Sequence, residues 1–341
     1  MDIRVIYLTE LTIIVPIYNV QDYLEECLAS VQAALVPGIS AEVHCVNDGS
    51  TDQSEQIAQS FADRDSRFRV ITQVNGGYGK AINTGMKAAR GRFVTIVESD
   101  DVILPTAYPA LLELLRQDKT LDFVKTPYQP FTTDGPRPQM SVPPHGRTAA
   151  DILAAPAGTV RPGTFMDDRL IFEPPAIWAG IYRRKVLERH SITLPETPGA
   201  GYQDTCFSAM CFLNGMTYHW VNDRYYMYRV DRETASRHVR IRRSEIIDLF
   251  RFIRDNLERN GKFKNASSPY FYAAYFRRLI WFMQRVRVEH RFNLFIEAYR
   301  SFDDVWEDKA LMCATQALLP GGEAVQFEQF WQGRHARLYA A

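Results

Sequence analysis

The stretch Gly91 to Asp101, G-R-F-V-T-I-V-E-S-D-D, places three carboxylates, Glu98, Asp100 and Asp101, within four residues. In a partly dry site such neighbours repel one another unless a cation compensates, and donors that are all oxygen suit Mg²⁺ or Mn²⁺. The alternative is a helix cap. Ser99 or Asp101 suits that role for a segment starting near Pro105 or Thr106, but a cap uses one acceptor and leaves the other acids without a task. The run Phe93 to Val97 ahead of the acids is apolar, β-branched and aromatic, as expected of a core strand in a parallel sheet. Ligands of open α/β sheets bind outside the carboxyl ends of such strands, which is where these acids fall.

The elements that must carry this cluster recur upstream. Leu11 to Val15 reads as a strand stopped by Pro16. The P-I-Y-N after it ends in Asn19, a capping residue for a helix whose Leu24, Leu28, Val31 and Leu35 fall at helical spacing. Ala41 to Val46 is a second strand, followed by the turn Asn47-Asp48-Gly49-Ser50. Ser50-x-x-Gln53 forms a capping box for a helix burying Ile57, Ala58 and Phe61. Phe68 to Thr72 is a third strand, and the glycine-rich Asn75 to Lys80 leads into a helix that Gly91 terminates. Strands alternating with helices predict an α/β fold, Rossmann-like, with a mostly parallel sheet and helices on both faces. Right-handed crossovers then bring Asn19, Asp48, the glycine loop and the acids to one rim.

The glycine loop fits neither of two phosphate signatures. Val74 stands where a Walker A motif needs glycine and Ala81 where it needs Ser or Thr, and P-I-Y-N replaces the dinucleotide fingerprint after the first strand. Beyond a turn and strand at Asp118 to Thr126, residues 129–175 are rich in Pro, Gly and Thr and read as one long irregular insertion. Ala176 to Leu187 returns to apolar residues, and Gly199 to Asp204 carries Asp204 to a helix start, where an acid also suits the macrodipole. Trp220 to Val230 reads as one aromatic strand. From Val239 the chain reads as helices, among them Tyr270 to Val288, which mixes aromatics with Arg277, Arg278, Arg285 and Arg287 and suits either packing or an anionic membrane surface. The expected organisation is 1–238 as the α/β domain (halves 11–131 and 132–238) and 239–341 as a helical region.

In this order, I-I-V-P-I-Y-N at Ile13 to Asn19, V-N-D-G-S-T-D at Val46 to Asp52, N-G-G-Y-G-K-A-I-N-T-G at Asn75 to Gly85 and E-S-D-D at Glu98 to Asp101 resemble the family 2 glycosyltransferases of GT-A fold. The resemblance implies an inverting transferase moving a sugar from a nucleotide diphosphate, UDP-sugar favoured, to a hydroxyl of a glycan or lipid-linked acceptor. It implies Pro16, Tyr18, Asn19, Asp48, Gly79, Lys80, Glu98, Ser99 and Asp100 around the nucleotide sugar. Mn²⁺ or Mg²⁺ would sit on Asp100, with Asp101 and His238 as further candidate ligands, and Arg229 and Arg237 as candidates for the diphosphate. Tyr202-Gln203-Asp204 resembles the family's acceptor-side motif, with Asp204 as general base and Trp178, Tyr182, Tyr202 and Gln203 facing the acceptor. Two residues depart from the pattern: Glu98 replaces the usual first aspartate, and Gln203 the usual glutamate beside the base.

A hydroxyl is a poor nucleophile and a sugar diphosphate leaves with developing charge, so the chemistry needs a base and a cation. A nucleotidyltransferase would carry a glycine- and arginine-rich loop with a lysine after its first strand, which P-I-Y-N does not supply. A non-catalytic glycan-binding or scaffold protein is favoured only by Glu98 and Gln203. Forty basic residues balance forty acidic ones, which gives no field for nucleic acid. Five cysteines without a C-x-x-C pair suggest reduced thiols, and Asp2, Arg4 and Glu10 interrupt any leader core. The expectation is a cytoplasmic protein of surface-polysaccharide or lipopolysaccharide assembly, peripheral at the inner membrane face through 270–288, with homo-oligomers compatible.

Overall fold

The computed structural model describes residues 9–132, 135–136, 158–160, 175–221, 223–232, 245–263 and 267–333. His238, Arg237 and most of the insertion 129–175 lie outside the described residues. The chain divides into two compact units: the first comprises 1–167, 173–207 and 215–238, and the second 168–172, 208–214 and 239–341.

In the first unit, β1 (Leu11–Ile17), α1 (Gln21–Ala34), β2 (Ala41–Asn47), α2 (Ser54–Arg64), β3 (Phe68–Thr72), α3 (Tyr78–Ala88) and β4 (Phe93–Ile96) alternate as the periodicity predicts. There follow β5 (Val102–Ile103), α4 (Ala107–Gln117), β6 (Phe123–Lys125), β7 (Tyr128–Thr132), β8 (Gly135–Pro136), β9 (Gly158–Val160), β10 (Gly180–Arg183), β11 (Tyr218–Trp220) and β12 (Tyr226–Arg229). The main sheet runs β3-β2-β1-β4-β10-β6-β11-β9, and a smaller one runs β5-β12-β7-β8. β1 to β4 pair in parallel, while β10 enters antiparallel to both β4 and β6. The aromatic run expected as one strand is thus two, β11 in the main sheet and β12 in the small one.

β1, β2 and β4 are buried along nearly their whole length because both faces are covered, whereas the edge strand β3 fully buries only Phe68. Ile13, Val15, Val43 and Cys45 join Leu24, Leu28 and Val31 of α1, Phe61 of α2 and Leu111 of α4 in one core, whereas Ile14 and Val46 pack with Ala81 of α3 in another. Pro16 lies inside β1, opposite Val46, and does not stop it. Ile14 accepts from Val97 and Ile17 from Asp48, so by alternation the nitrogen of Pro16 points to the side where β4 has already ended, and no ladder bond is lost. Nor does Gly91 cap α3. A Cβ there would stand 2.5 Å from the Thr12 nitrogen, so this glycine serves the close approach of two backbones.

The second unit is helical: Glu245–Arg259, Ser267–Met283, Val288–Arg300, Asp303–Glu307, Lys309–Ala317 and Gly321–Trp331. Phe271, Tyr272, Phe276 and Phe282 of Ser267–Met283 are buried within it. Tyr275 stacks on Phe250 at 4.3 Å, and buried Arg277 pairs with Glu323 at 2.7 Å. Most of the arginine-aromatic pattern therefore serves packing, with Arg285 and Arg287 left exposed. Among the described residues no helix is long and apolar enough to cross a membrane.

Candidate active site

The β1–α1 and β2–α2 connections are tied to each other. Asn19 does not cap α1. It adopts a left-handed backbone (φ 47°), its side chain accepts from the Thr51 amide at 2.8 Å, and its own amide donates to Ser50 Oγ at 3.2 Å. Ser50 is thereby used across the loops and makes no capping box; α2 starts at Ser54. A non-glycine residue at positive φ is uncommon and costs backbone energy, so its place at the sheet rim points to function. Tyr18 beside it is 48% exposed, available to a ligand, while Pro16 is buried in the strand.

Asp48 is buried, and its carboxylate organises the glycine loop. Oδ1 accepts from Gln73 Nε2 at 2.7 Å and from the Gly76 amide at 2.9 Å, and Oδ2 from the Gly77 amide at 2.8 Å. The loop in turn meets the segment Leu194 to Gly201, whose L-P-E-T-P-G sequence gave no hint of this partner. Tyr78 donates its amide to the Gly199 carbonyl at 2.9 Å, and Asn83 of α3 donates to the Leu194 carbonyl at 2.8 Å and accepts from its amide at 3.0 Å. Cβ atoms at Gly77 and Gly79 would stand 2.2 Å from the Thr197 oxygen and 2.1 Å from the Pro195 oxygen. These glycines are required by backbone contact. The Lys80 stem lies over Gly76, where a Cβ would meet its Cδ at 2.2 Å.

The acids after β4 divide into different roles. Asp101 is fully buried: Oδ2 accepts from the Tyr226 hydroxyl at 2.8 Å and Oδ1 from the Arg229 amide at 2.7 Å. It fastens β12 to the end of β4, which removes it from the metal-ligand set on geometry. Tyr226 also accepts the Glu98 amide at 3.0 Å. Arg229, a candidate for the diphosphate, is buried between the rings of Tyr23 and Phe131, with Nε on the Asp100 carbonyl and Nη2 on Glu26. Ser99 is buried as well. Asp100 remains at the rim, where Oδ2 meets Arg232 Nη1 at 3.0 Å, and Arg232 Nη2 reaches the Asn19 carbonyl at 3.3 Å.

Glu98 accepts a hydrogen bond from the Tyr78 hydroxyl. Burial pushes its carboxyl up to about 8, Tyr78 opposes this, and the charges of Asp100 and Asp204 add to it. Burial and the charges of Glu98 and Asp204 also push the Tyr78 hydroxyl well up. Tyr78 thus joins Glu98, through its hydroxyl, to the segment that leads to Asp204, through its amide on the Gly199 carbonyl at 2.9 Å. Among the described residues no group of three metal-ligating side chains is preassembled.

Asp204 lies in the first turn of the helix Gln203–Leu213, where its Oδ1 accepts the Thr205 amide at 2.7 Å. Tyr202 before it is again left-handed (φ 60°). Gln203 is buried, bonded to Thr197, Gly199 and Gly201, and does not face an acceptor. Tyr182 is also withdrawn from the acceptor set: it is 2% exposed, its hydroxyl donates to the Ile177 carbonyl at 2.9 Å, and its ring stacks on Phe123 at 5.5 Å. Trp178 is half-buried, stacked on Tyr226 at 4.3 Å and Tyr228 at 5.2 Å. Sequence reading missed Tyr78, Asn83, Tyr226 and Arg232. The first two sit inside the quoted N-G-G-Y-G-K-A-I-N motif, but nothing local marks Arg232.

Residues 12–173 match the family model for glycosyl transferase family 2. The chain is 34% identical over 218 residues to the uncharacterized glycosyltransferase EpsJ of Bacillus subtilis strain 168, covering 64% of this chain and 60% of that protein. It is 27% identical over 228 residues to the uncharacterized glycosyltransferase YibD of Escherichia coli K12, covering 67% and 63%. The chain thus spans about three fifths of the length of these relatives. Staphylococcus aureus TarS 1–349, solved in complex with UDP-GlcNAc, superposes with a TM-score of 0.74 at 20% identity, covering 97% of this chain and 89% of that one. The mixed sheet and helices described above are thus a GT-A fold with C-terminal helices, within which residues 12–173 are similar to the family 2 glycosyltransferases.

Proposed function

We propose that the protein transfers a sugar from a UDP-sugar to a hydroxyl of a glycan or lipid-linked acceptor with inversion at the anomeric carbon. The observation that carries this reading is the set of hydrogen bonds joining the loops of the site: Asp48 holds the glycine loop, Tyr78 behind it donates its hydroxyl to Glu98 and its amide to the Gly199 carbonyl, five residues before Asp204, and Arg232 links Asp100 to the Asn19 carbonyl. The UDP preference draws support from TarS, whose structures include complexes with UDP and UDP-GlcNAc.

The acceptor hydroxyl attacks the anomeric carbon from the face opposite the diphosphate. The new carbon–oxygen bond forms as the bond to the phosphate oxygen breaks, the hydroxyl proton passes to the Asp204 carboxylate, and nucleoside diphosphate leaves. One displacement inverts the centre. Tyr18, Asn19 and Asp48 bound the nucleotide pocket, Lys80 lies beside the glycine loop, and Arg232 brings a guanidinium to the phosphate side. Tyr202 and Trp178 flank the acceptor approach.

A divalent cation fits the residues present. Asp100 offers a hard carboxylate oxygen at the rim, already opposite a cation in Arg232. Mg²⁺ and Mn²⁺ are commonly held by one or two carboxylates plus substrate phosphates, without a complete protein cage. Bound on Asp100, such an ion would stabilise the charge of the departing diphosphate. His238 remains a candidate ligand outside the described residues.

Thermal stabilisation by UDP, GDP, dTDP and CMP, each with and without Mn²⁺, tests the donor assignment, since a ligand of the native state raises the melting temperature. The expected result is stabilisation selective for UDP and strengthened by Mn²⁺. Equal response to all four, or none at millimolar ligand, contradicts it.

A further inference from the structure

Gln203 is 1% exposed, yet every polar atom of its amide is engaged within six residues of chain. Oε1 accepts the Gly201 amide at 2.6 Å, while Nε2 donates to Thr197 Oγ1 at 2.8 Å and to the Gly199 carbonyl at 3.3 Å. The same Gly199 carbonyl accepts the Tyr78 amide at 2.9 Å, and Tyr78 opens α3 directly behind the loop that Asp48 holds. Asn83 clamps the other end of the segment at Leu194 by two bonds. A continuous chain of hydrogen bonds therefore runs from Asp48 through the glycine loop and residues 197–201 to Gln203, the residue that precedes Asp204.

The helix turn that carries Asp204 begins at Gln203 and follows Tyr202 in a left-handed conformation, which the surroundings must hold. An amide suits this place for a chemical reason. It donates to the Gly199 carbonyl, which can only accept, and accepts from the Gly201 amide, which can only donate. An ionised carboxylate meets the second need and not the first, and would add a buried charge beside Asp204.

We propose that Gln203 is a positioning residue: its neutral amide locks residues 197–201 against the glycine loop and so aims the Asp204 carboxylate at the reacting hydroxyl. This rests on the reading of Asp204 as the base. A base displaced by about 1 Å from its productive geometry loses on the order of 10²-fold in rate. The effect falls mainly on turnover, because the loops after β1 and β2 are tied to each other through Asn19, Ser50 and Thr51, and Gln203 bonds to neither loop.

The test compares wild type, Gln203→Met, Gln203→Glu, Thr197→Val and Asp204→Asn. UDP affinity is measured by calorimetry, and UDP release from whichever of UDP-glucose, UDP-galactose, UDP-GlcNAc and UDP-GalNAc the wild type hydrolyses fastest. Gln203→Met is expected to lose roughly tenfold to a hundredfold in kcat with UDP affinity within about twofold. Thr197→Val, which removes one partner from the opposite side, should fall between Gln203→Met and wild type, and Gln203→Glu, which keeps the Gly201 bond but buries a charge beside Asp204, should lose at least as much as Gln203→Met. Wild-type kcat in Gln203→Met, or a loss of UDP affinity matching the loss of kcat, overturns the proposal while Asp204→Asn remains inactive. Full turnover by Asp204→Asn, or no turnover of any donor by wild type, overturns instead the reading on which it rests.

Discussion

Replacing Asp48 by Asn tests whether this carboxylate organises the glycine loop. The change preserves size and leaves one carbonyl oxygen for the donors Gln73 Nε2 and the Gly76 amide, at 2.7 and 2.9 Å in the native protein. It turns an NH₂ group toward the Gly77 amide, which now donates to Oδ2 at 2.8 Å. Gly77 is buried, with φ 89° and the Thr197 and Gly199 carbonyls against it, so water cannot readily replace the lost acceptor. One hydrogen bond to a charged group contributes about 1.5–3 kcal/mol, and an unsatisfied buried donor costs a similar amount. Taking about 2 kcal/mol as the local destabilisation, the Gly77 amide should exchange with solvent about 30-fold faster, since each 1.36 kcal/mol is tenfold. Hydrogen exchange followed by mass spectrometry over residues 73–80 and 194–203 reads this directly, and both segments should loosen together because Tyr78 and Gly199 share a bond. Unchanged exchange in 73–80, or loosening there with 194–203 untouched, refutes the reasoning.

Three other outcomes follow from the same geometry. Gly79→Ala sets a methyl carbon 2.1 Å from the Pro195 carbonyl oxygen, a backbone atom unable to yield cheaply, and should cost about 1–3 kcal/mol by thermal or urea unfolding; a neutral result would mean that the two loops do not pack as described. Glu42→Gln concerns a buried carboxylate that accepts from Thr12 and from the amide and guanidinium of Arg90. Burial alone would raise its carboxyl, but hydrogen bonds with His44, Arg90 and Thr12 outweigh it and hold the group well below the usual range. The folded value is thus depressed, so its contribution, about 2 kcal/mol, is present above the unfolded value near 4.3 and lost as pH falls toward the folded one. The melting-temperature gap between wild type and Glu42→Gln should be full at pH 7, begin to shrink below about pH 4 and go on shrinking as pH falls toward the depressed folded value; a gap independent of pH would refute it. Finally, UDP-selective, Mn²⁺-strengthened stabilisation is expected of the intact chain.

The segment 11–131 was the most legible part because β1, β2 and β4 are buried along nearly their whole length and separated by amphipathic helices, so hydropathy places β1 to β4 within a residue or two. Local rules failed where a distant partner won. Asn19 and Ser50 have the chemistry of caps, yet each bonds to the neighbouring loop. Gly76, Gly77 and Gly79 have the composition of a phosphate loop, yet the backbone of residues 195–199 sits where side chains at Gly77 and Gly79 would be, and the Lys80 stem where one at Gly76 would be. The antiparallel entry of β10 between β4 and β6 leaves no periodic trace, since a short apolar strand reads the same in either direction. Asp101 and Asp100 are adjacent in sequence yet differently placed because the Tyr226 hydroxyl and the Arg229 amide, more than a hundred residues away, hold the Asp101 carboxylate, whereas that of Asp100 meets Arg232 at the rim. No property of the E-S-D-D motif itself encodes that difference.

The most direct test of the central claim is the initial rate of UDP release by Asp204→Asn relative to wild type, in protein that binds UDP with wild-type affinity. General base catalysis by a positioned side chain contributes roughly 10²–10⁴-fold, so the rate should fall by at least about a hundredfold. A rate within threefold of wild type would remove Asp204 from its role and, with it, the account of the site as a place where an acceptor hydroxyl is deprotonated.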